Sequence, residues 1–119
     1  MEPTLTIEIG NSDNDKKYQV VKFTGEFDKA GYMDTHKEIN SIVESFKMDS
    51  LVFDFTSLKF INSESIGYLV ELHTNLDKKG KKLVLVGADS HVKDVLKTIG
   101  IAEIIPIYSN FKDFLTQYD

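Results

Sequence analysis

Cysteine is absent from this 119-residue chain, so disulfides, thiolate metal sites and a cysteine nucleophile are all excluded. The absence fits a reducing compartment. Arginine is absent too: all 14 basic residues are lysine, against 19 Asp and Glu, for a net charge of -5. Without the planar guanidinium fork that grips phosphate and guanine bidentately, nucleic-acid binding and arginine-assisted phosphoryl transfer both lose ground. The lysine pairs at 16–17, 78–79 and 81–82 read as solvated charges at turns and helix ends. No run approaches the ~20 apolar residues of a membrane span, and the first ten residues lack the basic start and apolar centre of a secretion signal. The expectation is a cytoplasmic protein. Repeats, low-complexity tracts and interdomain linkers are missing, and the length suits one domain over residues 1–119.

Enzyme signatures are also missing. There is no Gly-x-x-x-x-Gly-Lys phosphate loop, no Gly-x-Gly-x-x-Gly turn and no Gly-x-Ser-x-Gly elbow. His36, His73 and His91 are too far apart for a zinc helix and read as surface or half-buried side chains. No clustered acid, base or metal set supports catalysis, so the chain is read as a non-enzyme without cofactor or metal. Asp54 stands out as a charge inside an apolar strand, costly there unless hydrogen-bonded.

What is present is a regular alternation of elements. Thr4 to Ile9 alternates at period two, as a half-exposed strand does, and the polar loop Gly10 to Lys17 leads to a second strand, Tyr18 to Thr24, in a hairpin. Gly25 to Asp28 closes that strand. Tyr32, His36, Ile39, Val43 and Phe46 then recur at helical spacing. Leu51 to Phe55 suits a strand buried on both faces. After Asn62-Ser63-Glu64-Ser65 the period becomes helical through Ile66, Leu69, Val70, His73 and Leu76, with Asn62 or Ser63 as N-cap. A glycine stop at Gly80, a short buried strand over 82–86, a helix carrying Val92, Val95, Leu96 and Ile99 to Gly100, and a strand over 101–107 follow. A final helix capped by Ser109 or Asn110 carries Phe111, Phe114, Leu115 and Tyr118. Strand-helix alternation predicts parallel neighbours joined by right-handed crossovers. The expected fold is α/β: a mixed, mostly parallel five-stranded sheet in the order β-β-α-β-α-β-α-β-α, with helices covering it.

The run Phe60-Ile-Asn-Ser-Glu-Ser-Ile-Gly67, preceded by Leu51-Val-Phe-Asp-Phe-Thr-Ser-Leu58, resembles the signature of bacterial anti-sigma factor antagonists, the small STAS domains. In that family an apolar strand ends in Asp-Leu-Ser and leads to Asp-Ser-Ser/Thr/Ala-Gly-Leu-Gly. Upstream, Phe23-Thr-Gly-Glu-Phe-Asp28 is similar to the ending of the family's second strand. Gly80 to Val86 and Val92 to Ile101 are similar to its fourth strand and third helix, so the resemblance spans nearly the whole chain. It departs at Asn62, where the family has Asp, and at Glu64-Ser65, where the family has a Ser/Thr-Gly pair.

The resemblance implies a chain that binds an anti-sigma factor serine kinase with a histidine-kinase-like ATPase fold. It would be switched off by phosphorylation at Ser63, whose alternative role is a plain N-cap. The implied contact residues are Asn62, Ser63, Glu64, Ser65, Tyr68 and Asp28, with Tyr68, Glu71 and Asn75 on the exposed side of the second helix and Asp28 to Tyr32 beside it. Two other readings remain. One is a STAS adaptor of a transporter ATPase or signalling assembly that docks without phosphorylation. The other is a response-regulator receiver with Asp54 as acceptor, which would need a strand-helix-strand opening.

Overall fold

The computed structural model describes every residue except Met1, Asp13, Asn14, Lys16 and Asp119, and the backbone alone at Tyr118. In chain order the elements are β1 (Leu5–Ser12), β2 (Tyr18–Phe27), α1 (Lys29–Glu44), β3 (Ser50–Ile61), α2 (Ser63–Asp77), β4 (Lys82–Val86) and α3 (Ser90–Ile99). A 3₁₀ turn (Ile101–Glu103), β5 (Ile107–Tyr108) and α4 (Phe111–Tyr118) complete the chain. The five strands lie side by side in sequence order. β1 is antiparallel to β2, and every later pairing is parallel. The hairpin opening removes the receiver reading, whose strand-helix-strand start this topology does not have.

Sequence order within the sheet has a consequence for its layers. Each crossover steps the same way across the sheet, and right-handed connections taken in one direction place their helices on one face. Accordingly the main core joins Val21, Phe23, Phe53, Phe55 and Leu85 of the sheet to Ile39 of α1, Leu69 of α2 and Leu96 of α3. Phe23 is its centre, with ring centroids 4.7 Å from Phe53 and 5.1 Å from Phe55. On the opposite face α4 alone covers Val20, Val52 and Val84 through Phe114. β3 is therefore buried on both sides over Leu51, Val52, Phe53 and Phe55, while Asp54 is half-buried and accepts hydrogen bonds from the amide (2.9 Å) and hydroxyl of Thr56. Those bonds offset the cost of carrying a carboxylate there.

Two glycines allow close approaches. Gly25 has φ +119°, and a Cβ on it would lie 2.2 Å from the Thr4 carbonyl oxygen. At Gly31 a Cβ would lie 2.2 Å from the Glu26 carbonyl oxygen, so α1 can rest directly on the end of β2.

The expected strand over 101–107 is corrected. After Gly100, at φ +82°, the chain turns through the 3₁₀ segment, where Ile104 and Ile105 both donate to the Ile101 carbonyl. Ile101 and Ile105 are the buried pair, a helical spacing, while Ile104 is 47 % exposed. Pairing with β4 begins only at Ile107. At the other end β1 runs on to Ser12, past a bulge after Ile9, so the expected Gly10 to Lys17 loop is shorter. Its residues Asp13, Asn14 and Lys16 lie outside the described residues, as does the Tyr118 side chain. The lysines after α2 do more than sit in solvent. Lys79 Nζ donates to the carbonyls of Val43 (2.7 Å) and Glu44 (2.6 Å), and Lys81 Nζ to that of Lys47 (2.9 Å). They brace the chain as it leaves α1, at the carbonyls of Glu44 and Lys47 and at that of Val43, which also accepts from the Phe46 amide at 3.3 Å.

Candidate functional site at the start of the second helix

Parallel strands joined by helices bring all the helix starts to one end of the sheet. Asp28 caps α1, its Oδ1 accepting from the Gly31 amide at 2.9 Å. Asp89 caps α3 through the Val92 amide, also at 2.9 Å. Between them Asn62 caps α2: its backbone is extended and its Oδ1 accepts from the Ser65 amide at 2.8 Å. The Asn62 amide donates to the Phe27 carbonyl at 3.2 Å, tying the junction to the end of β2. His91, in the first turn of α3, stacks on Phe60 with centroids 6.5 Å apart, joining that helix to the same junction.

With the cap assigned to Asn62, Ser63 is the first residue of α2 and is exposed. Its hydroxyl makes no hydrogen bond among the described residues. Glu64, also exposed, stands in the same first turn, where the helix dipole favours a carboxylate. An exposed, uncommitted hydroxyl at the positive end of a helix can receive an anionic group with no loss of internal contacts.

Two expected contact residues lie elsewhere than anticipated. Ser65 belongs to the helix rather than to a loop and is 2 % exposed. Tyr68, expected on the outer side of α2, is 6 % exposed and turned toward α1. Its hydroxyl donates to Asn40 Oδ1 and lies 3.3 Å from the His36 carbonyl oxygen. Its ring meets Tyr32 edge-on at 4.9 Å. Burial, followed by Tyr32 and the nearby Glu71 carboxylate, pushes the Tyr68 phenol well above its ordinary value. The reason is the width of the buried stripe. Lying between α1 and α3, α2 buries Ser65, Ile66, Tyr68, Leu69, Leu72 and Leu76, centred away from the expected Val70 and His73, which are half-buried. Glu71 and Asn75 are exposed as expected. Asp28 is half-buried, with one carboxylate oxygen committed to its cap.

Sequence reasoning missed the Phe60–His91 stack. Its sequence signal was Phe60 alone, an aromatic two residues before Asn62, which the fold leaves 37 % exposed. Among the described residues no three His, Asp or Glu side chains gather as a metal site would require. No helix among them is long and apolar enough to cross a membrane.

The STAS domain family model matches residues 11–114. An anti-sigma F factor antagonist of Paenibacillus polymyxa is 21% identical over 100 residues, covering 84% of this chain and 86% of that protein. The crystal structure of an anti-sigma factor antagonist from Mycobacterium paratuberculosis superposes with a TM-score of 0.83 at 21% identity, over 98% of this chain and 96% of that one. The Bacillus cell fate determinant SpoIIAA in its phosphorylated form gives 0.68 at 12% identity, over 96% and 100% of the two chains. With the mixed sheet and capped helix starts already described, a family match over this span identifies the chain as a member of the STAS domain family.

Proposed function

We propose that this chain is an anti-sigma factor antagonist: a cytoplasmic regulator of transcription that binds a serine-kinase anti-sigma factor and is released when Ser63 is phosphorylated. The observation that carries the reading is the separation of tasks at the start of α2, where Asn62 holds the helix and leaves the Ser63 hydroxyl exposed and without a hydrogen bond among the described residues. The names of the relatives from Paenibacillus and Mycobacterium support an antagonist role, and the phosphorylated state named for SpoIIAA supports a covalent switch. In this scheme the chain is a protein substrate and no catalyst. Its partner supplies ATP, Mg²⁺ and the transfer step.

Phosphorylation brings about -1.5 to -2 charge and three acceptor oxygens. At a helix N-terminus that charge is favoured by about 0.3 to 1 kcal/mol, so the domain keeps its fold. Against a docked protein the same charge is desolvated, and each ~1.4 kcal/mol removed from the binding free energy weakens the complex tenfold. Glu64 sets a fixed negative charge beside the acceptor, and Asn62 leaves the cap neutral. The expected effect is slower phosphate transfer or a different choice of partner than in chains with the full Asp-Ser-x-Gly pattern.

The test is incubation with the cognate kinase and ATP, with Ser63→Ala as control and site mapping by mass spectrometry. Phosphate on any other residue, or undiminished incorporation in Ser63→Ala, rejects the assignment. Asn62 and Glu64 also favour a second reading, an adaptor that docks on a transporter ATPase without phosphorylation. Capture of such an ATPase, unchanged by phosphatase, would select it.

A further inference from the structure

Next to Ser63, a cleft of about 310 Å³ separates the first turns of α1 and α2. Its side chains bring the Glu64 and Glu71 carboxylates and the Ser65 and Tyr32 hydroxyls, which can accept or donate, against the single ammonium of Lys29. None of the three charged residues forms an ion pair among the described residues. Ser65 is 2 % exposed, yet its hydroxyl has no hydrogen-bond partner among them, and the Tyr32 hydroxyl has none either. The Ser65 hydroxyl oxygen is still reached from the cleft, so a group seated there can complete its hydrogen bonding in place of water. Tyr32, stacked on His36 at 4.7 Å and met edge-on by the buried Tyr68 at 4.9 Å, forms an aromatic wall on one side.

Gly67 is the other sign of an absent occupant. It lies within α2, where glycine costs roughly 1 kcal/mol relative to alanine, and a Cβ there would meet nothing within 4 Å. Neither its conformation nor packing within this chain calls for glycine. Its effect is to leave the α2 backbone bare where it lines the cleft.

We propose that the cleft receives the guanidinium of an arginine side chain from the protein that docks at this end of the sheet. A guanidinium is planar, carries five donors, pairs with carboxylates and stacks on aromatic rings. It can pair with a glutamate carboxylate while donating to a neighbouring hydroxyl, the groups that the cleft lining offers. An anion would face two carboxylates with one lysine for support, and an apolar group would strand the hydroxyls. A second copy of this chain cannot be the donor, because the sequence contains no arginine. The inference rests on the docking reading proposed above and adds to it the chemistry of one contact.

The test uses the ¹⁵N-labelled full chain at constant ionic strength, titrated with N-acetyl-arginine amide, its neutral isostere N-acetyl-citrulline amide, and N-acetyl-lysine amide. The arginine compound is expected to produce saturable amide shifts at Tyr32, Ser65 and Gly67. At least fivefold weaker binding is expected for citrulline and lysine, and a loss of several-fold with Glu71→Gln. Gly67→Leu, at an exposed helix position where an added Cβ meets nothing within 4 Å, is expected to obstruct the cleft and abolish the shifts while the chain still melts cooperatively. Linear, non-saturating shifts, equal binding of citrulline, or indifference to Glu71→Gln overturns the inference. Phosphate on Ser63 with no saturable arginine binding removes the cleft assignment and leaves the antagonist function standing. Saturable arginine binding without Ser63 phosphorylation does the reverse.

Discussion

Substitution of the two adjacent residues Asn62 and Ser63 by alanine separates the helix cap from the proposed phosphoacceptor. Asn62→Ala removes the side-chain oxygen that accepts the Ser65 amide at 2.8 Å, and an N-cap of this kind is worth about 1 kcal/mol, within a range of about 0.5 to 2. For 119 residues the unfolding entropy near 60 °C is roughly 0.25 kcal/mol/K, so the melting midpoint should fall by about 4 °C. Ser63→Ala removes an exposed hydroxyl with no hydrogen bond among the described residues, and the change should stay within about 0.5 kcal/mol, or about 2 °C. Asn62→Asp keeps the acceptor and adds a charge at the positive helix end, so it should melt at or slightly above the parent. Thermal unfolding by circular dichroism at low ionic strength, with urea midpoints as a check, reads all three. A Ser63→Ala loss equal to that of Asn62→Ala would refute the assignment of the cap to Asn62 and put the Ser63 hydroxyl to structural use.

Tyr68 predicts an alkaline signature. Its folded pKa is raised above the ordinary value of about 10, so above pH 10 the folded state binds more protons than the unfolded state and stability falls as pH rises, by up to about 1.4 kcal/mol per pH unit. Tyr68→Phe should flatten that fall, and tyrosinate absorbance at 295 nm should show one group ionising only on unfolding. Gly25→Ala should cost well over 1 kcal/mol in a denaturant melt, because φ is +119° and a Cβ would collide with the Thr4 carbonyl. Phe53→Ala, at a fully buried ring 4.7 Å from Phe23, should cost about 3 to 5 kcal/mol.

The legible parts of the fold were those where one physical signal acted alone. The doubly buried run from Leu51 to Phe55 is a strand because it must be apolar on both faces, and the polar stretch after Ile9 joins two antiparallel strands. The Gly100 stop appears as a left-handed cap. Where two signals overlapped, the sequence was ambiguous. Ile101, Ile104, Ile105 and Ile107 resemble a strand by composition, but burial at Ile101 and Ile105 follows a helical turn. At the site, Asn62 and Ser63 are both good caps in isolation. Tertiary geometry decides between them, because the Asn62 amide is also drawn to Phe27. Tyr68 was misjudged because the width of a buried helical stripe depends on how many neighbours the helix has, and a lone sequence does not display the α1 wall that Tyr68 packs against.

Charge added at Ser63 is proposed to eject the partner without disturbing the domain. This is tested most directly by measuring the affinity of the stoichiometrically phosphorylated and unphosphorylated chain for the same anti-sigma factor, with a thermal melt of each form. Binding at least tenfold weaker after phosphorylation is expected, with melting midpoints within about 4 °C of each other, as a dipole-scale effect of up to ~1 kcal/mol allows. Equal affinities, or a phosphorylated domain that no longer melts cooperatively, would contradict it.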